Sequence, residues 1–486
     1  MNNNYKFKSN EVEDIISLVP MQEGMLFHYL KYPLSSQYFE QTCYILTGKV
    51  RVNILKMAWQ YVIESNEMLR VVYRWNGLNR GVQVVLKKYD LPLVEYDVSN
   101  ENQDEKQKII CNIEKKEREN RVDILSQIIR VALCKLSENE YEMIVNTHHI
   151  IFDGWSNIII LKELIYAYNC FSMNIEPIRK RKNKYKELVK WYQKQDKQKQ
   201  RLFWSDNLDG FIHRQVYPVV HNIPDDIRES EIEEKPAFLM PIDENLVDKM
   251  DKYTKEKGIT YAVLFYSAWS ILLYKYSGLK DLVFGTTVSG RSAKIKGIDD
   301  MVGLFINTIP LRIKINNNMP IQELLEHTKL MVLQREGYEF TSLADIKQFG
   351  EIHNSGNIFD TAVVIENYPV NNFFQEMDAQ NRLVIDFHSS YYSTNLNLVL
   401  GVRMFGRMQL DLVYNTDLYN SKSVKKLADQ YLYILDQLVA VSYTDNLTVE
   451  EINILNKDEK EKMISSINKS LDTLNSIEKV DFDEIF

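Results

Sequence analysis

Two adjacent histidines followed by an aspartate and a glycine could carry out proton transfer. His148 and His149 are followed, after three apolar residues, by Asp153 and Gly154. Histidine suits the exchange of a proton near neutral pH because its free pKa is about 6.5. Asp153 lies close enough along the chain to fix the geometry of His149, and Gly154 lets the backbone turn sharply or approach a ligand. The spacing therefore favours an acid–base site.

The elements on either side of this stretch would hold it at the edge of a cleft. Residues 141–146 alternate and are rich in β-branched side chains, which indicates a strand. Apolar residues then recur at helical spacing between Ile158 and Tyr168. The histidines thus lie where a strand ends and a glycine turn leads into a helix. Side chains at such a junction are held by rigid elements and face a cleft.

The same periodicities predict elements elsewhere in the chain. They indicate helices over residues 52–65, 185 to about 207, 261–276 and 421–441, and strands over 42–47, 126–136 and several segments between 382 and 415. Residues 1–12 are polar, and we expect them to be loose.

The stretch with the two histidines resembles a motif of known acyltransferases. It is similar to the HHxxxDG motif of enzymes built like chloramphenicol acetyltransferase. With Trp155 and Ser156 it resembles the HHxxxDGWS form of condensation domains of nonribosomal peptide synthetases. Segments 18–28, 281–291, 302–312, 338–346 and 359–369 resemble further core motifs of these domains, in the same order. An accidental histidine pair, one of them a satisfied core histidine, does not account for four matching positions in a strand–loop–helix context.

This resemblance implies both a fold and a reaction. The fold class would be α/β (α+β), with two chloramphenicol acetyltransferase-like subdomains in a V-shaped pseudodimer around a central tunnel. Phosphopantetheine arms of a donor and an acceptor peptidyl carrier domain would enter the tunnel from opposite ends, and no cofactor would be bound covalently. The acceptor amine would attack the donor thioester and form a peptide bond. Because both reactants are tethered and the thioester is activated, proximity supplies the largest gain. One proton and one oxyanion remain to be managed.

The resemblance assigns roles to the residues of the motif. His149 would abstract the proton or position the amine, and both interpretations stay open. His148 would be structural, with its ring hydrogen-bonded inward. Asp153 would be an orienting ion pair, with Arg291 as the candidate partner across the two halves. Gly154 would keep the acceptor path clear, and its N–H could stabilise the oxyanion.

Further candidate residues lie outside this group. Arg70 matches the last residue of the family's second motif, although the Arg-His pair of that motif is replaced by Asn66 and its neighbour Ser65. The alternative for Arg70 is a surface charge. The other supporting and tunnel candidates are Trp155, Ser156, Ser289, Asn307 and Asn395.

Length and composition limit the alternatives. A chain of 486 residues is long for one core, so two subdomains are expected. The net charge of −8 and the lack of a basic run with interleaved aromatic residues argue against nucleic acid. The four cysteines form no CxxC pair and are interpreted as free thiols in a reducing compartment. With no signal peptide and no apolar run long enough for a membrane, we expect a cytoplasmic protein.

The resemblance also suggests how the chain is divided and what it contacts. We expect a docking segment at 1–17, subdomains at 18–180 and 181–450, and a linker toward an adjacent adenylation domain at 451–486. An upstream synthetase subunit would supply the donor carrier in trans. The sequences at 20–24, 38–41 and 366–369 resemble the subclass that joins a D-configured donor to an L-configured acceptor.

Four alternatives share the fold. A coenzyme-A-dependent acyltransferase would not need the linker-like tail at 451–486. An epimerisation domain has a different motif at Gly154 and Trp155, and a heterocyclisation domain has an aspartate in place of His148 or His149. A non-catalytic recruitment domain would usually carry a degraded motif, whereas this motif is intact.

Overall fold

The computed structural model describes residues 7–33, 37–212, 218, 237–351, 358–367, 383–441, 446–457, 459–462, 464–465 and 467–468. The α-helices are α1 (Pro20–Lys31), α2 (Val52–Ser65), α3 (Gln103–Glu119), α4 (Gly154–Ser172), α5 (Lys186–Gln193), α6 (Lys197–Asn207), α7 (Glu244–Lys257), α8 (Tyr261–Ser277), α9 (Ile321–Arg335), α10 (Leu343–Phe349) and α11 (Ser421–Ala440). Short 3-10 helices occupy Glu67–Arg70, Ile298–Asp300 and Glu336–Tyr338.

The strands form three sheets within the described residues. They are β1 (Val12–Ser17), β2 (Phe39–Thr47), β3 (Val71–Arg74), β4 (Val82–Leu86), β5 (Leu93–Asp97), β6 (Ile129–Ser137), β7 (Glu140–His148), β8 (Phe238–Pro241), β9 (Asp281–Val288), β10 (Asn307–Lys314), β11 (Thr361–Glu366), β12 (Val384–Tyr392), β13 (Leu398–Arg403) and β14 (Gln409–Tyr414). Their orders are β1-β4-β3, β12-β2-β7-β6-β5 and β10-β9-β11-β13-β14-β8.

The two halves of the chain share one sheet. Strand β12 belongs to the second half by sequence, yet it pairs antiparallel with β2 of the first half, so that Ser390 lies opposite Thr42. On its other side β2 pairs with β7, which ends in the histidine motif. The strand that carries the motif is therefore central in a sheet that both halves build, which limits its movement.

Each half also has its own hydrophobic core. The first core surrounds Trp59 and Tyr168, and Phe305 from the second half packs into it. The second core lies on the six-stranded sheet, where α8 is apolar on nearly all sides and buries Phe265 and Trp269. Thr260 caps the start of α8 through its side-chain oxygen. Tyr185 lies beyond the predicted boundary at residue 180 but packs in the first core. The division at residue 180 stays a prediction.

One prediction of local structure is wrong. The helix expected from 185 to about 207 is two helices, α5 and α6, because Asp196 accepts hydrogen bonds from the N–H groups of Gln198 and Lys199 and starts a new helix. The loose start expected over residues 1–12 is followed directly by a strand. Residues 12–17 form β1, which pairs with β4.

The docking segment expected at residues 1–17 stays a prediction, and its last part, residues 12–17, belongs to a sheet of the fold. Glu13 forms an ion pair of 2.7 Å with Arg70, and Asp14 forms one of 2.6 Å with Lys186. Both carboxylates are thus engaged within the fold, with 31% of the Glu13 side chain and 28% of the Asp14 side chain exposed. Residues 1–6 lie outside the described residues, as do 469–486 of the expected linker.

The structure shows the state of the cysteines and the character of the described helices. Cys43, Cys111, Cys134 and Cys170 are free thiols. Over the described ranges, no helix combines the length and apolar character that a membrane crossing requires.

Candidate active site

The position of His149 is set by contacts with two backbone carbonyl groups. Strand β7 ends at His148, and α4 begins at Gly154, so His149 lies on the short connection between them. Its N–H donates to the carbonyl of Tyr38 at 2.7 Å. Its ring Nδ1 lies 2.9 Å from the carbonyl oxygen of Phe152. A carbonyl oxygen only accepts hydrogen bonds, so in the neutral ring Nδ1 carries the proton and Nε2 keeps the lone pair.

The ring of His149 lines a cavity of about 1160 Å³. Both halves of the chain contribute to this cavity, since α1, β2 and α4 meet β11, β12 and β13 around it. The apolar part of the wall includes Met21, Phe27 and Leu161. A ring nitrogen with a free lone pair in such a cavity can accept a proton from a bound amine.

His148 is buried and does not line this cavity. Its Nδ1 accepts a hydrogen bond from the N–H of Ile150 at 3.1 Å, and its ring packs edge-on against Tyr29. Burial, and secondly the neighbouring His149, lower the pKa of His148 to about 3. His148 is therefore neutral at physiological pH, and its contacts are those of a packing residue.

Asp153 connects the motif to the second half of the chain. Its two carboxylate oxygens accept hydrogen bonds from the N–H groups of Ser156 and Phe305, each at 2.9 Å. Its own N–H donates to the carbonyl of Gly303 at 3.2 Å. Arg291 places Nη2 at 3.4 Å from Oδ1 of Asp153 and 2.9 Å from Oγ of Ser156. The pair expected between Asp153 and Arg291 therefore forms, and it joins the two halves.

Arg291 is held by more than its carboxylate partner. Its side chain is 4% exposed, and Nη1 donates to the carbonyls of Ile298 and Met301. Its guanidinium lies 4.0 Å from the ring centroid of Phe305 and 5.5 Å from that of Trp155. Arg291 is thus buried, and the predicted alternative of solvent exposure is wrong.

A glycine is required at position 290, because the backbone there passes close to the backbone of Phe305, beside the pair of Asp153 and Arg291. The φ of Gly290 is +63°, and a Cβ at this position would lie 1.9 Å from the carbonyl oxygen of Phe305. We therefore expect Gly290→Ala to lower the free energy of unfolding, measured in urea, by about 1–3 kcal/mol more than Gly77→Ala. Gly77 is the matched control because its φ is +74° and a Cβ added there would meet nothing within 4 Å. Equal losses in both variants would contradict the close approach.

The three tunnel candidates all line the cavity but are held differently. Asn307 uses its amide to donate to the carbonyls of Glu339 and Thr341, each at 2.8 Å, so its donors serve the fold. Asn395 accepts a hydrogen bond from the hydroxyl of Tyr38 at 3.0 Å. Ser289 lies at the cavity wall just before the turn at Gly290. Gly154 and Trp155 also line the cavity.

Arg70 is not brought to the site. It is 6% exposed, pairs with Glu13 at 2.7 Å, and donates to the carbonyls of Ile63 and Leu86. It does not line the cavity. The alternative of a surface charge is wrong, because Arg70 is buried and ties β1 to the first core. A supporting role of Arg70 in function stays a prediction.

A charged part of the cavity wall was missed by the sequence analysis. Glu366 and Arg403 line the cavity and pair at 3.3 Å, and Arg403 also pairs with Asp411 at 3.3 Å. Burial raises the pKa of Glu366, and it raises the pKa of Asp411 to about 7. This pair could have been found only from the parallel register of β11 and β13, which places Glu366 opposite Arg403. That register requires knowing which strands are neighbours.

Tyr38 is a second residue whose role was missed. Its φ is +63°, which is uncommon for a residue other than glycine. Its N–H donates to the carbonyl of Ser393 at 2.9 Å, and its carbonyl accepts from His149. The unfavourable backbone conformation is therefore held from both sides, directly beside the candidate catalytic ring.

Comparisons with known proteins agree with these motifs. A family model described as "Condensation domain" matches residues 12–464. Surfactin synthase subunit 3 of Bacillus subtilis (strain 168) is 29% identical over 469 residues, which cover 95% of this chain and 36% of that protein. Tyrocidine synthase 2 of Brevibacillus parabrevis is 28% identical over 466 residues, which cover 94% of this chain and 13% of that protein. The chain thus spans only a minor part of these relatives.

Solved structures confirm the predicted fold class. The first condensation domain of the calcium-dependent antibiotic synthetase, in complex with a substrate analogue, superposes with a TM-score of 0.74 at 15% identity. That match covers 91% of this chain and all of the other. The X-domain in a complex with OxyB from teicoplanin biosynthesis gives 0.74 at 17% identity, with 93% and 99% covered. At these identities the likeness establishes the fold.

Proposed function

The chain belongs to the condensation-domain family, and from this premise we propose that it forms a peptide bond between two carrier-bound substrates. The donor is an acyl or peptidyl thioester, and the acceptor is the amine of an aminoacyl thioester. Both are tethered to phosphopantetheine arms that partner carrier domains supply. The observation that carries this proposal is the ring of His149, oriented by the carbonyl of Phe152, at the wall of a cavity built by both halves.

The reaction needs one proton acceptor and one stabilised oxygen. The acceptor amine attacks the donor carbonyl carbon, so that a C–N bond forms while the oxygen gains negative charge. Nε2 of His149 takes a proton from the amine nitrogen, or holds the amine in position for attack. The C–S bond then breaks, and the donor arm leaves as a thiolate that receives a proton. The peptide remains on the acceptor arm.

The start of α4 is suited to the developing negative charge. Gly154 is the first residue of this 19-residue helix and lines the cavity. N–H groups in the first turn of a helix lack intrahelical acceptors, and the helix dipole favours negative charge there. We assign the Gly154 N–H to the oxyanion, with Asp153 and Arg291 as the positioning pair that keeps this helix start in place.

The partners follow from the family and from the size of the cavity. The cavity has room for more than one arm end, and residues from both halves surround it. We propose that a donor and an acceptor peptidyl carrier domain dock on the chain, and that an adenylation domain lies next to it in the complete synthetase. The phosphopantetheine stays on the carriers, and no covalent cofactor is needed on this chain.

We also propose the subclass that takes a D-configured donor. The motif segments that suggest it contribute to the cavity wall, through Pro20, Gly24, Glu40 and Glu366. They are therefore placed to contact the substituents of a bound substrate. Tyr368 and Pro369 of the third segment lie outside the described residues.

The proposal is tested by varying the donor while the acceptor stays constant. We expect peptide formation with a D-configured aminoacyl donor on a carrier domain, and a rate at least about tenfold lower with its L-configured counterpart, since tenfold corresponds to ~1.4 kcal/mol of discrimination. The product is detected by mass spectrometry of the acceptor carrier. The same donors presented as coenzyme A thioesters are the control.

Each other outcome identifies an alternative. Equal rates with D and L donors would remove the subclass assignment and leave the reaction. Equal rates with coenzyme A and carrier-bound donors would favour a coenzyme-A-dependent acyltransferase. No product from any donor would favour a non-catalytic recruitment domain.

A further inference from the structure

The sheet that carries the histidine motif has a second polar face, turned away from the cavity. Along β2 the side chains alternate, so that Tyr44 lines the cavity whereas Cys43 packs on the opposite face. Helix α3 covers this opposite face, where Ile113 packs with Cys43 and Cys134. The features described below are therefore separate from the candidate active site.

Three potential metal ligands converge between α3 and the sheet. They are Sγ of Cys43 on β2, one carboxylate oxygen of Glu114 on α3 and one of Glu142 on β7. These atoms all lie within 4.8 Å of one another, and the thiol is 3.6 Å from Oε1 of Glu114. Cys43 and Glu142 are each 2% exposed. Three different elements thus contribute one ligand atom each to one small volume.

Glu142 contacts Cys43 and Glu114, but among the described residues no arginine or lysine pairs with it. Its Oε1 is buried and has no hydrogen-bond partner among the residues that the structure describes. The other two carboxylates of this layer have arginine partners. Glu117 pairs with Arg130 at 2.8 Å, and Glu114 pairs with Arg118 at 3.7 Å. An uncompensated carboxylate at this depth is unfavourable unless it gains a proton or a cation.

A proton and a divalent cation both balance the charge, but they use different atoms. Protonation of Glu142 would leave two carboxylates against two arginines and would not require the thiol. Burial and the nearby Glu114 raise the pKa of Glu142 to about 8, which is compatible with that state. A divalent cation bound to the Cys43 thiolate also gives a neutral layer, because four negative groups then face two arginines and the cation. It also explains why the thiol and both carboxylates converge.

We propose that Cys43, Glu114 and Glu142 form a divalent-cation site that fastens α3 to the sheet behind the histidine motif. Zinc fits this ligand set best, because it accepts thiolate and carboxylate ligands together, whereas magnesium and calcium prefer oxygen alone. Glu114 is the outermost ligand, with 19% of its side chain exposed, so ions can reach the site along α3.

Zinc binding by the untagged 486-residue chain tests this site. We expect a titration with ZnCl₂, followed by calorimetry, to give one site per chain, and the bound zinc to raise the melting temperature. Cobalt in the same site should show thiolate-to-metal charge-transfer absorption. Glu142→Gln and Cys43→Ser should each weaken zinc binding at least about tenfold and remove the rise in melting temperature.

Glu142→Gln separates a cation from a proton. The glutamine side chain imitates a protonated glutamate, so this variant should fold in either case. Cys111→Ser, which changes an exposed cysteine on the outer side of α3, is the control and should bind zinc like the parent chain. Less than one equivalent of bound zinc, or unchanged zinc binding in both ligand variants, would overturn the proposal. A Glu142→Gln variant that folds while the parent chain binds no zinc would show that a proton holds the site.

Discussion

Replacing His149 with alanine is expected to lower the rate of peptide-bond formation by ~10²–10⁴-fold, the usual contribution of a positioned acid or base. The variant removes the Nε2 lone pair from the cavity wall and leaves the backbone contact with Tyr38 in place. Because the ring is only half-buried on a connection between β7 and α4, its loss should leave the fold intact. The measurement is the single-turnover rate, with thermal melting to confirm folding.

A second histidine in the same cavity provides the control for this experiment. His28 lies on α1 and lines the cavity. It is not part of the HHxxxDG motif, so no role in proton transfer is assigned to it. We expect His28→Ala to retain most of the activity. A His149→Ala rate within about threefold of the parent chain would remove general-base catalysis by His149, since that mechanism requires at least ~10².

Asp153→Asn is expected to lower the free energy of unfolding by about 3–5 kcal/mol, the usual result of breaking a buried ion pair by changing one partner. Both carboxylate oxygens accept backbone N–H groups, from Ser156 and Phe305. An asparagine therefore has to point its NH₂ group at one of these donors, and Arg291 loses its carboxylate. Urea unfolding measures the loss, and the peptide-forming rate should fall with it.

Two further variants show whether the buried pair is the cause. Arg291→Ala and the double variant complete a mutant cycle, in which the combined loss should be clearly smaller than the sum of the two single losses. Asp243→Asn is the matched control, because Asp243 also caps a helix but is exposed, and asparagine caps equally well. Additive losses in the cycle would contradict coupling between Asp153 and Arg291.

The local part of the site was accessible from the sequence. The alternation of β7, the glycine turn and the helical spacing after it are short-range patterns, and they place His149 between strand and helix as predicted. Asp153 caps α4 through a contact three residues along the chain, which is also a local feature. The pairing with Arg291 spans 138 residues and came from the resemblance alone.

The features that were not predictable from the sequence depend on contacts between distant segments. No local sequence pattern shows that β12 pairs with β2 in the sheet of the first half. The hydrogen bond from the Tyr38 N–H to the carbonyl of Ser393 was therefore not predicted. The burial of Arg70 follows from Glu13, 57 residues earlier. The pair of Glu366 and Arg403 follows from a parallel register that becomes known only with the order of the strands.

Intact-protein mass spectrometry of both carrier domains in one single-turnover reaction follows the transfer of the acyl group from donor to acceptor. We expect the acceptor carrier to gain the mass of the donor acyl group while the donor carrier returns to its free phosphopantetheine form, and His149→Ala to suppress both changes together. An acceptor carrier of unchanged mass, whether the donor is retained or merely hydrolysed, would contradict this expectation.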